Sequence, residues 1–248
     1  MKFRKKDLFA HIINITFFVL TWLFINSGLF VAGRVENVED FIKMHIVSSS
    51  LGYNNLYQIV GVTFTVLFVL SSARVLDMDN PYMLIKYNRD GFVKHKIKRM
   101  AVNTVLFVLE YIVVHIFFCI IFCKFSVLTE VRFFLCMLLF YISLFEYFII
   151  VGMSMQFLQY LFKFKNAYMV VPIILFCALT IGQNTLGVNI APVYFSDFIS
   201  DFVESGIFDW YSYAVNTVET VIVFFILAIL SRITFLKRDI IIDEKTES

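Results

Sequence analysis

Three carboxylates, Glu110, Glu146 and Glu219, interrupt long apolar runs, and His115 stands five residues after the first of them. A charge near the centre of a bilayer costs on the order of 2.5–3.5 kcal/mol, so such groups are expected to face other helices or water. No Lys or Arg accompanies them within the runs. Carboxylates lining a wet path would favour a cationic cargo such as a basic peptide, whereas protonation or hydrogen bonding between helices would serve structure equally well. Counting 1.5 Å per residue from the nearer basic loop, Glu110 lies about 12 Å deep, Glu146 about 16 Å and His115 about 20 Å. Glu219 falls nearer the opposite surface.

His115 and Cys119 share a helical face at i, i+4, with Cys123 four residues further. Two or three potential metal ligands without a fourth are more simply a packed histidine beside buried thiols. His11, His45, His95 and His115 lie in separate segments, and neither HExxH nor GxxxxGK[ST] occurs. The chain is therefore expected to be no enzyme, to bind no metal or cofactor, and to leave any ATP hydrolysis to a separate polypeptide. Cys119, Cys123, Cys136 and Cys177 all sit in or beside apolar runs, which is no pattern for a disulfide framework.

The elements that must hold these residues are membrane spans. Of 248 residues, 60% are hydrophobic and 16% charged, with mean hydropathy +0.83. That is too little polar surface to cover a soluble domain of this size, and it excludes disordered and collagen-like classes. Six apolar stretches approach the length of about 20 residues needed to cross a bilayer. They run over residues 8–31, 57–73, 102–122, 133–157, 167–181 and 214–230, the second, fifth and sixth being short. The first follows MKFRKK and exceeds a signal-peptide core, so an uncleaved signal anchor is expected.

With the N-terminus inside, cytoplasmic segments hold 17 Lys and Arg, and outer segments hold only Arg34, Lys43, Lys124 and Arg132. The positive-inside rule then puts both termini in the cytoplasm. The fold class is an all-α integral membrane protein of six transmembrane helices, and no repeat or linker divides 1–248 into more than one domain. Pro172 lies within the fifth span, where a kink is expected. In the outer segment 182–213, Phe195, Phe198, Ile199 and Phe202 recur at helical spacing opposite Ser196, Asp197, Ser200, Asp201 and Glu204. An amphipathic helix on the outer surface and a loop packed on the bundle both fit. Glu36, Glu39 and Asp40 mark a solvated outer loop between the first two spans.

The segment between the second and third spans is more than a connection. Tyr82, Leu84, Ile85, Tyr87, Phe92 and Val93 surround a polar turn, Asn88-Arg89-Asp90-Gly91, and Lys94, Lys96, Lys98 and Arg99 follow. Topology with anionic-lipid contact would account for the cations alone. Nucleic-acid binding and a calmodulin-type target helix have only charge in their favour. Docking of a cytoplasmic motor subunit would use both the apolar residues and the turn.

Here the sequence resembles the permease subunits of ABC-2 transporters, the six-helix partners of ATP-binding-cassette ATPases, and in particular the small permeases of bacteriocin, lantibiotic and peptide exporters. Their segment of the form apolar-apolar-Arg-Tyr-Gly-Ser-Arg-x-x-aromatic-apolar-x-Lys is matched by Leu84-Ile85-Lys86-Tyr87-Asn88-Arg89-Asp90-Gly91-Phe92-Val93-Lys94-His95-Lys96, with Lys86 in the arginine place and Asn88-Arg89-Asp90-Gly91 at the turn. The resemblance implies a short coupling helix seated in an ATPase cleft, with Tyr87, Phe92 and Val93 as its apolar seat and Arg89, Asp90 and Lys94 as its charged rim. It also implies a cytoplasmic ABC ATPase carrying ATP and Mg, pairing with a second permease or a second copy, a bacterial plasma membrane, and export of, or immunity to, an antimicrobial or signalling peptide. The other function class open to the residues is an ATPase-independent carrier or sensor with Glu110, Glu146 and His115 as a proton relay. An intramembrane peptidase is the weakest.

Overall fold

A computed structural model describes residues 5–27, 33–45, 56–76, 81–162, 167–186 and 207–237, and these are almost entirely helical. The helices are α1 (Lys5–Ile25), α2 (Val38–His45), α3 (a π-helical stretch Leu56–Phe64 continuing as α-helix Thr65–Leu76), α4 (Pro81–Phe122), α5 (Phe125–Glu130), α6 (Phe133–Leu161), α7 (Ala167–Leu186) and α8 (Trp210–Lys237).

Four helices are long and apolar enough to cross a membrane: α1, α4 from Asn88 onward, α6 and α8. Shorter apolar helices, Val60–Ala73 in α3 and Tyr168–Leu179 in α7, occupy the second and fifth stretches read from the sequence. Helix α7 carries Pro172 in its second turn, where the ring removes one backbone hydrogen bond. The amphipathic outer segment from Phe195 to Glu204 lies outside the described residues.

Helix α6 is the axis of the bundle. Of its span 61% is buried, against 11% for α8 and 22% for α1, and it packs on α3, α4, α5, α7 and α8. The core is aromatic: Phe18, Phe64, Phe68, Phe107, Tyr111 and Phe148 meet mostly edge to face at centroid distances of 5.0–5.6 Å. Quadrupolar rings prefer such geometry, and it lets bulky side chains interlock without voids. Five of the chain's 31 phenylalanines thus form this core. Gly152 of α6 lets α4 approach, since a Cβ there would lie 2.7 Å from Met100 Sδ.

Polar groups repair the backbone where α3 changes from π to α. Thr65 Oγ1 lies 3.3 Å from the Val60 carbonyl and 2.9 Å from the Tyr147 hydroxyl of α6, which is 3.4 Å from the Gly61 carbonyl. Carbonyls loosened by irregular helix need such partners away from water. At the α4–α5 end, Val35 clips the preceding segment to the bundle: its N–H donates to the Phe122 carbonyl at 2.8 Å, and its carbonyl accepts from Lys124 N–H at 3.0 Å. Lys124 pairs with Glu36 at 2.9 Å, and Phe41 packs edge-on against Phe133. The acidic loop is therefore tied down, not merely solvated.

Candidate functional site

Helix α4 contains a break within the motif read from the sequence. Asn88 has φ 51° and ψ 172°, so 81–87 forms one helix and the chain restarts at Arg89. Asparagine tolerates positive φ better than most residues, and its side chain starts the second helix: Gly91 N–H donates to Asn88 Oδ1 at 2.8 Å. From Asn88 to Phe122 the helix is 35 residues long, about 50 Å, far more than a hydrocarbon core of about 30 Å. Its first turns carry Arg89, Lys94, Lys98 and Arg99, so the cations expected in a loop stand on a helical stem continuous with a candidate span.

The stem is latched to the other long helices. Asp90 bridges Lys94 at 2.8 Å on its own helix and Arg232 Nε at 2.5 Å on α8. Phe92 stacks on Phe235 of α8 at 5.5 Å, and Tyr160 of α6 meets Phe235 at 4.7 Å. Between them lies Lys96, 2% exposed, its ammonium 5.0 Å from the Phe92 ring, 5.6 Å from the Tyr160 ring and 3.4 Å from Gln159 Oε1. Cation–π contact and a hydrogen bond replace the water that a buried ammonium loses. Lys96 is thus removed from the lipid-facing cations.

Phe92 and Val93 are buried with Tyr160 and Phe235 in a small cluster, so the apolar seat assigned to them faces the chain's own helices. Asn88, Arg89 and Lys94 are exposed, and Asp90 and Gly91 half-exposed. For Tyr87 the backbone is described, at the end of the short helix, and the side chain lies outside the described ones.

The carboxylates separate into three environments. Glu110 is paired: His11 Nδ1 of α1 lies 2.5 Å from Oε1, and Asn14 Nδ2 donates to Oε2 at 3.3 Å, with the two ionisable side chains 15% and 12% exposed. Sequence reasoning missed this partner by treating the histidines as unrelated. The signal was present, since His11, Asn14, Phe18 and Trp22 fall at i, i+3, i+7 and i+11 on one face of α1. His115 is placed elsewhere: its Nδ1 accepts from Trp22 Nε1 at 3.3 Å, and Cys119 Sγ lies 3.7 Å from Nε2. It packs between the indole of Trp22 and the thiol of Cys119. No metal-binding group of three or more His, Cys, Asp or Glu occurs among the described residues.

Glu146 is buried on α6, where Thr217 of α8 is its polar neighbour. Glu219 is exposed on α8 and is not gathered with the others. The four residues proposed as one pathway therefore divide into a pair with α1, a histidine packed on tryptophan, an α6–α8 carboxylate and an exposed carboxylate. Comparison with family models, curated proteins and solved structures finds no match.

Proposed function

We propose that this chain is the membrane-spanning permease subunit of an ATP-binding-cassette exporter in a bacterial plasma membrane, with six spans and both termini cytoplasmic. A separate ATPase subunit, holding ATP and Mg, drives it; a second copy or second permease completes the pore; the cargo is an antimicrobial or signalling peptide, exported or kept from the membrane. The observation that carries this reading is the short helix 81–87 set off from the long stem at Asn88. A helix hinged at the basic end of the bundle suits a lever moved by a partner with two states.

Force from the docked helix has a path inward. Asn88, Arg89 and Lys94 remain available to the partner, whereas Phe92 against Phe235 and Asp90 against Arg232 make α4 and α8 move together. The test is co-purification in detergent with a stand-alone Walker-A ATPase encoded beside this chain. Recovery of a complex that Arg89→Glu and Lys94→Glu abolish is the expected result. No bound ATPase, or binding indifferent to both charge reversals, ends this reading.

The alternative is an ATPase-independent carrier or sensor with an intramembrane carboxylate–histidine relay. The Glu110–His11 contact favours it, with His11 in the place first given to His115. Transport or sensing that survives Glu110→Gln and Glu146→Gln unchanged would remove it.

A further inference from the structure

Helices α6 and α8 run side by side in the same direction. Tyr213 hydroxyl donates to the Leu139 carbonyl at 3.4 Å near one end, Glu146 faces Thr217 further along, and Tyr160 meets Phe235 at the basic end. Buried polar side chains line these two helices: Ser143 of α6 beside Tyr213 of α8, Glu146 beside Thr217, and then both polar atoms of Gln156 on α6 and Ser231 Oγ on α8, which have no hydrogen-bond partner. Gln156 and Ser231 are 0% exposed, and each lies one turn before the touching rings of Tyr160 and Phe235. The two sit therefore in one layer directly above the plug formed by Phe92, Phe235, Tyr160 and Lys96.

Polar atoms shut away from both protein partners and water cost several kcal/mol each in hydrocarbon, and native structures pair nearly all of them, often through ordered water. Hydroxyls, an amide and one carboxyl in succession both donate and accept, which suits water and a mobile proton. Among the other titratable groups on elements touching α6, Tyr213 of α8 interacts with Glu146 as well as with Ser143. Tyr147 is turned to Thr65 and Gly61 of α3, Tyr111 of α4 packs on Phe18, Phe64 and Phe140, Glu110 holds His11, Cys177 of α7 is half-buried, and Tyr213 bonds to Leu139. Lys96 is the buried cation at the plug, and Arg232 of α8 is held by Asp90.

We propose that the α6–α8 seam is a hydrated proton-binding path, with Glu146 as the proton acceptor and the Phe92–Phe235–Tyr160–Lys96 layer as its stop at the basic end. A hydronium ion in the seam gives its proton to the Glu146 carboxylate and remains as water; the reverse step returns the proton to a water molecule. This goes beyond the ATPase-driven reading and stands without it, because the path is internal to the chain.

Two measurements test it. In phosphatidylcholine vesicles loaded with a pH-sensitive dye and clamped with potassium and valinomycin, Phe235→Ala is expected to raise acid-driven proton entry above wild type, and adding Glu146→Gln is expected to return it to the wild-type rate. In the folded wild-type chain, dicyclohexylcarbodiimide, which reacts with protonated carboxyls in apolar surroundings, is expected to label Glu146. That labelling should fall as bulk pH rises, and Gln156→Leu should slow its response to a pH jump. Flux through Phe235→Ala that Glu146→Gln leaves intact, or Glu146 labelling independent of bulk pH, overturns the proposal. The labelling experiment decides it alone should the Phe235 variant not fold, and neither readout depends on an ATPase.

Discussion

Removing the His11–Glu110 contact tests most directly whether α1 is held by polar chemistry or by its aromatic face. The short contact of 2.5 Å is made by groups 15% and 12% exposed, so solvent screens it weakly, and Asn14 adds a second bond at 3.3 Å. Hydrogen bonds between helices in membranes contribute about 0.6 kcal/mol on average and up to about 1.7 kcal/mol. A contact this short belongs at the upper end. The expected coupling energy between His11→Ala and Glu110→Ala is therefore about 1.5 kcal/mol, about a tenfold change in the unfolding equilibrium. Each single variant is expected to lose more than the coupling energy, because the abandoned partner stays near-buried without its mate. The assay is unfolding in mixed micelles titrated with dodecyl sulfate and followed by tryptophan fluorescence. One of the two tryptophans, Trp22, reports on α1 directly, stacked on Phe118 at 4.3 Å. A cycle energy indistinguishable from zero would refute the reasoning and leave α1 held by Phe18 and Trp22 alone.

Further expectations follow from single sites. Trp22→Ala, at a side chain 0% exposed, is expected to cost about 3–5 kcal/mol and to leave His115 Nδ1 without its donor, measured by the same titration. Gly152→Leu should be far more damaging than Gly152→Ala, because Met100 can swing from one methyl group but α4 must back away from a larger side chain, which thermal unfolding in detergent separates. Asp209 caps α8, accepting from Ser212 N–H at 3.1 Å, and that bond holds its carboxyl below the ordinary carboxylate range. A depressed carboxylate stabilises above its unfolded value and loses that contribution as pH falls through the lower folded value. Hydrogen exchange at the first turn of α8 should therefore accelerate below about pH 4 in the wild type and be pH-independent in this respect in Asp209→Asn. Arg232→Gln should free the stem from α8, and a spin label on each helix should report a broadened distance that Asp90→Asn reproduces.

The sequence by itself determined that the chain is helical and apolar enough for a bilayer, where the apolar runs fall, and that a polar turn lies at 88–91, of which only Asn88 breaks the helix. These are local properties, set by hydropathy over about 20 residues and by the readiness of asparagine to adopt positive φ and cap a helix. It also marked Glu110, Glu146 and His115 as the polar groups needing an account. What it left open was which helix answers each of them, because an apolar face shows that a residue is buried but not against what. Only the tertiary packing paired Glu110 with His11, 99 positions away in sequence, set His115 on Trp22, and turned Phe92 and Val93 inward onto Phe235. Those outcomes depend on long-range register between helices that are chemically alike along their lengths. A few polar contacts, and one glycine that lets α4 approach α6, select it.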